Sequence, residues 1–406
     1  MIAPGFLKNS LFWRSRDFSL LWSGQFVSSC GGWINYVALN VLLYEITGSG
    51  TALGLFFAVR TIPSLLFGAV GGFLADRFDK RRLMMACDVV RAASVLVFVW
   101  SRDVTAFFVL GFFLSAVDKI YFSCSSSVLP ELVKKPDLME ANSCLRISQS
   151  VTAIVGPAMG GALVGFAGYK LAFMADSLTF VFSVATLLFI TSLSVRPVRK
   201  GQGILQEFKE AFSFFMSSGI FVLFLILRVF DGFGSGAYNT VLPVFSSGGG
   251  SGSLYGWLLT SWGAGAFAGA LAASPLCRRS RLVSLYCWAT MLMAVGMGGA
   301  FLAPSCGGWI PERTLSLVSI ALGGFGDGVS GVVFSTLLMR RTPKEMMGKV
   351  FGCVSSLVYM ACGAGMYLSG TALDFFPYQH VVVAGTALIL FAAAFTYFRV
   401  GLRKIQ

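Results

Sequence analysis

The sequence predicts an all-α polytopic membrane protein: twelve transmembrane helices in two six-helix repeats, with both termini cytoplasmic. Three observations carry this. The chain is 56% hydrophobic and only 12% charged, with mean hydropathy +0.78, whereas soluble domains carry about 25% charged residues. Twelve apolar stretches each approach the roughly 20 residues that a helix needs to cross the bilayer core. Of the 31 Lys and Arg residues, 23 fall on one side of those stretches, three on the other and five inside them. The positive-inside rule predicts such a split for cytoplasmic termini and loops, and an odd number of spans would mix the two sets. The net charge of +13 is thereby explained by topology, which excludes a nucleic-acid partner.

Span 1 (18–44) follows a polar N-terminus with Lys8, Arg14 and Arg16 and is too long for the apolar core of a signal peptide. It carries Trp33, Tyr36 and Asn40, which share one helical face. Gln25 lies lower on that stripe, and Asn35 points away from it. Span 2 (52–74) contains Arg60. Span 3 (83–100) contains Asp88 and Arg91, three apart near the cytoplasmic end and expected to pair with each other or with the basic loop before them. Span 4 (105–129) places Asp118 and Lys119 near mid-depth, where neighbouring residues diverge by about 100° and pair awkwardly. Spans 5 (141–167) and 6 (171–193) complete an N-terminal bundle, residues 1–193.

The connection 194–217 is the longest cytoplasmic one, and its stretch 204–215 has the apolar spacing of an interfacial helix. The second bundle, 218–406, holds spans 7 (218–245), 8 (254–275), 9 (282–303), 10 (314–338), 11 (350–373) and 12 (379–398). Span 7 carries Arg228 and Asp231, three apart and able to pair. Span 10 carries Asp327 in a run with Gly323, Gly324, Gly326, Gly328 and Gly331. Asp374 and His380 sit near the outer boundary, where a solvated interfacial role is expected for the histidine. Gly54-Leu55-Phe56-Phe57 opens span 2 and Gly256-Trp257-Leu258-Leu259 opens span 8, about 200 residues apart, which marks an internal repeat.

Two motifs narrow the reading. Gly72-Phe73-Leu74-Ala75-Asp76-Arg77-Phe78-Asp79-Lys80-Arg81-Arg82 resembles motif A of the major facilitator superfamily, G-x-x-x-D-R-x-G-R-R. Gly72, Asp76, Arg77, Lys80 and Arg81 match, and Asp79 replaces the second glycine. Gly156-Pro157-Ala158-Met159-Gly160-Gly161 in span 5 resembles motif C, which the family associates with antiporters. Its proline frees a backbone carbonyl, and its glycines permit close packing where two halves meet. Leu129-Pro130-Glu131-Leu132-Val133, Ala141-Asn142-Ser143, Asp176-Ser177-Leu178-Thr179-Phe180 and Arg341-Thr342-Pro343-Lys344-Glu345-Met346-Met347-Gly348-Lys349-Val350 are similar to the branch of macrolide efflux proteins and the enterobactin exporter.

The resemblance implies two halves related about the membrane normal, a gating role for motif A, and a central cavity lined by helices 1, 4, 7 and 10. The acids read at mid-depth, Asp118, Asp231 and Asp327, all fall on those helices. A carboxylate there costs about 2.5–3.5 kcal/mol on insertion scales, so it should face a cavity or a partner. Proton coupling is the expected role, because changing hydration lets one acid load and release a proton. Trp33, Tyr36, Asn40, Lys119 and Arg228 are the expected substrate contacts, and Arg60 is expected to line the cavity or meet helix 11. The function expected is proton-coupled efflux of amphipathic small molecules of drug, macrolide or siderophore type. The alternative is a lipid or lysophospholipid flippase on the same fold. A receptor or channel is disfavoured by the duplicated chain with motif A. No phosphate loop of the form GxxxxGK[ST], metal constellation or nucleophile motif is present, so no enzyme, cofactor or metal is expected. The nine Cys lie mostly in apolar segments and read as small buried side chains. A multi-pass monomer of the cell membrane, with substrate, protons and lipid as partners, is the expectation.

Overall fold

The computed structural model describes residues 15–191, 213, 219–247, 252–279, 281–303, 311–343 and 346–402. The interfacial helix expected at 204–215 lies, but for residue 213, outside them. The described helices are α1 (Arg16–Thr47), α2 (Gly50–Arg77), α3 (Lys80–Trp100), α4 (Val104–Leu132), α5 (Leu138–Leu188), α6 (Gly219–Ser247), α7 (Gly252–Arg279), α8 (Leu282–Leu302), α9 (Glu312–Arg341), α10 (Met347–Leu373) and α11 (Tyr378–Leu402). Eight of them, among the described residues, are long and apolar enough to cross a membrane. The expectation was twelve. Spans 5 and 6 run together as the 51-residue α5, and spans 2, 7 and 8 fall on α2, α6 and α7, which are not among the eight.

Local chemistry sets the element boundaries. Gly168 breaks α5 into two arms with φ 76° and ψ 174°, a backbone region open essentially to glycine alone. It falls in the short gap between predicted spans 5 and 6. Gly48, at φ 60°, ends α1 with its N–H on the Tyr44 carbonyl at 2.8 Å, a left-handed helix stop. Asp79, the residue that departs from motif A, needs no left-handed turn: its φ is −58°. Its carboxylate instead caps α3 by accepting the Arg82 N–H at 2.9 Å. Asp103 caps α4 in the same way through Thr105.

The helices form two compact units, one of Met1–Leu42 and Val59–Lys200, the other of Leu43–Ala58 and Gly201–Gln406. The first has a core around Phe18, Leu21, Met84, Tyr121, Val128 and Leu187. The second is built around Phe224, Tyr286, Val333, Val350 and Ala393. Here α9 lies against α7 and α8 at backbone distance. A Cβ on Gly324 would come 2.1 Å from the Trp262 carbonyl oxygen, and one on Gly323 2.8 Å from the Met297 nitrogen.

The end of α1 and the start of α2 belong to the second unit. Gly50 and Gly54 of α2 meet Gly370 of α10 so closely that a Cβ on Gly370 would lie 2.3 Å from the Gly50 carbonyl oxygen. Asp374, just beyond α10, closes this junction. It accepts the Gly50 N–H at 2.7 Å, the Ser49 hydroxyl at 3.0 Å and the Thr51 N–H at 3.3 Å. It caps the N-terminus of a helix that begins some 320 residues earlier. Burial pushes its carboxyl up, but the donors from Thr51, Gly50 and Ser49 outweigh that and hold it below the ordinary carboxylate value. The cap is therefore fully present above the ordinary value and is lost as pH falls through the lowered one. Asp374→Ala is expected to cost about 0.5–1 kcal/mol at neutral pH and to cost nothing in strong acid, as thermal unfolding in detergent at the two pH values would register.

Candidate functional site

In the first unit the buried charges gather on α3 and α4. Arg91 of α3 has two carboxylate neighbours. Its Nη1 donates to Asp88 Oδ1 at 3.0 Å, and its Nε lies 2.8 Å from Asp118 Oδ1 of α4. The Nε–H is not aimed at that oxygen, so the second contact is an ion pair rather than a directed hydrogen bond. Asp88 is wholly buried and also accepts the Ser183 hydroxyl at 2.7 Å from the second arm of α5. Asp118 is 49% exposed. The guanidinium lies 4.2 Å over the Tyr121 ring and 5.6 Å from Phe180, contacts that favour a cation. Asp118 is thus joined to Arg91, a residue expected to pair with Asp88 or with the basic loop before α3.

A polar line runs along α1 in the same unit. Trp22 donates to Ser148, Gln25 to Ser125, and Ser29 shares a hydrogen bond with Thr152. Motif C packs on this helix: a Cβ on Gly156 would lie 2.5 Å from Trp33 Cβ, and one on Gly160 3.0 Å from Ile34 Cα. The glycines thereby seat Trp33, whose ring meets Tyr36 edge-on at 5.7 Å. Asn40, expected on the same substrate face, is fully buried, while Trp33 and Tyr36 are partly exposed. The reason is position: by Asn40 the helix has entered a run of buried residues from Val37 to Leu43.

Sequence reasoning missed Asp176, which it used only as part of a subfamily signature. Asp176 is fully buried in the second arm of α5 and accepts the Asn35 amide at 2.6 Å. Asn35 does point away from the stripe of Tyr36, and this acid is what it points to. The available signal was an acid inside a span with an amide at similar depth. Arg60 donates from α2 to Ser115 of α4 at 3.3 Å, a contact that neither earlier expectation named.

Motif A is partly legible. The side chain of Asp76 and the surroundings of Gly72 lie outside the described residues. Arg77 stacks over Phe73 at 4.2 Å, and Arg81 donates to the Leu188 carbonyl. Lys80, 5% exposed, pairs with Glu131 of α4 at 2.7 Å and reaches the Ser127 carbonyl at 3.4 Å. Lys80→Met strands the Glu131 charge and is expected to cost about 3 kcal/mol. Adding Glu131→Gln should restore most of that, as thermal unfolding of the single and double variants would show.

In the second unit Arg228 and Asp231 of α6 pair as expected, and the Phe334 ring lies 5.6 Å from the guanidinium. The second oxygen of Asp231 is buried without a hydrogen-bond partner. Asp327 of α9 is partly exposed and lies within electrostatic range of both. Lys119 is partly exposed on α4. Among the described residues no group of three His, Cys, Asp or Glu is placed to hold a metal ion.

Three comparisons bear on this arrangement. A family profile described as "Transmembrane secretion effector" matches residues 12–406. Macrolide efflux protein A of Streptococcus pyogenes is 24% identical over 94% of this chain and 95% of its own. The enterobactin exporter EntS of Citrobacter koseri is 24% identical over 95% of this chain and 92% of its own. Among solved structures, a bacterial homologue of the iron transporter ferroportin in the inward-facing state superposes with TM-score 0.76 at 17% identity, covering 96% of this chain and 99% of that one. At that identity the likeness shows the fold alone.

Proposed function

Because this chain belongs to the transmembrane secretion effector family of major facilitator transporters and is a multi-pass membrane transporter rather than an enzyme, we propose that it exports amphipathic small molecules of drug, macrolide or siderophore type by proton-coupled alternating access. In this reading the two arms of α5 count as two crossings. The chain then has twelve spans in two six-helix repeats, residues 1–193 and 218–406, with both termini cytoplasmic.

The observation that supports proton exchange is a charge imbalance around each of the two arginines, buried Arg91 and partly exposed Arg228. Arg91 pairs with Asp88 and Asp118, and Arg228 pairs with Asp231 and lies within electrostatic range of Asp327. With both carboxylates ionised, each set leaves a net negative charge within a span, which low dielectric penalises. One proton, or one cationic substrate, relieves it. Asp118 and Asp327 retain exposed surface, so they are the members that water, proton or substrate reaches. Trp33 and Tyr36 offer an aromatic face to an apolar body.

The test is accumulation of a fluorescent dye and of erythromycin in energised inverted vesicles, with and without a proton gradient. Accumulation that collapses when the gradient is dissipated is expected. Accumulation indifferent to the gradient would sink proton coupling, and movement of a labelled lysolipid without either solute would favour the flippase.

A further inference from the structure

We propose that Gly32 of α1 is a specificity-determining residue of the export site: its missing side chain leaves a notch beside Trp33 and Tyr36 that seats the bulk of a large amphipathic solute. This rests on the export reading above. The two arms of α5 hold α1 on different faces. The second arm meets Gly24, Gly31 and Asn35. A Cβ on Gly24 would overlap the Thr186 hydroxyl, one on Gly31 would lie 2.5 Å from Asp176 Oδ1, and Asn35 donates to Asp176. The first arm meets Ser29 through Thr152, Trp33 through Gly156, and Ile34 and Val37 through Gly160. Successive helix residues turn by about 100°, so Gly32 and Tyr36 fall between these contact faces. Gln25 lies on the same strip two turns earlier, where its bond to Ser125 of α4 covers it. At Gly32 the strip is open. The residue is exposed, and an added Cβ would meet no described atom within 4 Å.

Glycine weakens a helix relative to alanine. Close packing accounts for Gly31 and Gly156 but not for Gly32. What the absent side chain yields is space beside two partly exposed aromatic residues. Their rings stand edge-on at 5.7 Å and offer flat apolar surface with a polar tip. Gln25 and Ser29 mark this as the polar side of α1, as a solute path through a bilayer requires. A macrocycle needs the notch to reach both rings. A small planar cation makes the aromatic contacts without it.

The experiment compares binding of erythromycin, a large macrocycle, and ethidium, a small planar cation, to purified full-length protein. Gly32→Leu is expected to weaken erythromycin binding by about tenfold or more, as overfilling a packed site does, and to leave ethidium binding within about threefold. Its melting temperature should not fall. Gly31→Ala, one position away, should lower the melting temperature and shift both probes together. Equal loss of both probes in Gly32→Leu, or loss of neither, would overturn the inference. A second arm needs no ligand. Gly32→Cys in proteoliposomes meets charged methanethiosulfonates, small and bulky, from both faces, and mass spectrometry resolves position 32 from Cys30. Modification by both reagents is expected. A thiol reached only by a lipid-soluble maleimide faces acyl chains and overturns the inference. If wild-type protein binds neither probe, that failure belongs to the export reading, and the thiol decides the notch alone.

Discussion

Asp118→Asn and Asp327→Asn are each expected to abolish gradient-driven accumulation while leaving downhill exchange of the same solute. Asparagine keeps the size of the side chain and removes the proton. Moving one proton across 100 mV supplies about 2.3 kcal/mol, which is roughly a fiftyfold accumulation ratio, since about 1.4 kcal/mol is tenfold. That ratio should fall to near one if the substituted acid carries the coupled proton. Asp118 has exposed surface and an ion pair with Arg91. Asp327 lies on α9 within electrostatic range of Arg228 and Asp231. Vesicle accumulation measured beside downhill exchange separates loss of coupling from loss of the protein. Full accumulation in both variants would refute the assignment of these acids.

The second large effect concerns packing. Gly324→Leu and Gly328→Leu in α9 are expected to destabilise the second unit by about 3 kcal/mol or more. Their added Cβ atoms would lie 2.1 Å from the Trp262 carbonyl oxygen and 2.0 Å from that of Ala266. These are backbone atoms of α7 and cannot rotate aside. Relief requires α9 to move, and Asp327 moves with it, so transport should fail along with stability. Gly331→Ala is the control. Its Cβ meets nothing within 4 Å, and alanine is favoured over glycine in a helix by about 0.5–1 kcal/mol, so its melting temperature should hold or rise. Equal losses at all three positions would refute backbone contact as the cause.

Much of the site was readable from the chain because it is local. Arg228 and Asp231 pair as a three-residue helical spacing requires, and Asp88 and Arg91 do the same. Gly168, which breaks α5, sits in the gap that hydropathy left between two spans. Other features join residues far apart in sequence. Arg91 meets Asp118, Asn35 meets Asp176, Lys80 meets Glu131 and Asp374 caps α2. No periodicity within one helix predicts which face of another it will meet. For that reason Asp88 and Arg91 read as pairing with each other or with the basic loop before them, and Asn35 only as a residue pointing away from the stripe of Tyr36 and Asn40.

Taken alone, the chain determined the membrane-spanning class and the motifs and set the expectation for crossings and sidedness, since each depends on composition or spacing within about twenty residues. Tertiary structure decided which carboxylate remains exposed, which arginine it shares, and where small residues let backbones touch. Those outcomes depend on how helix faces are rotated against one another, and the free energy that sets the rotation is spread over contacts between distant segments.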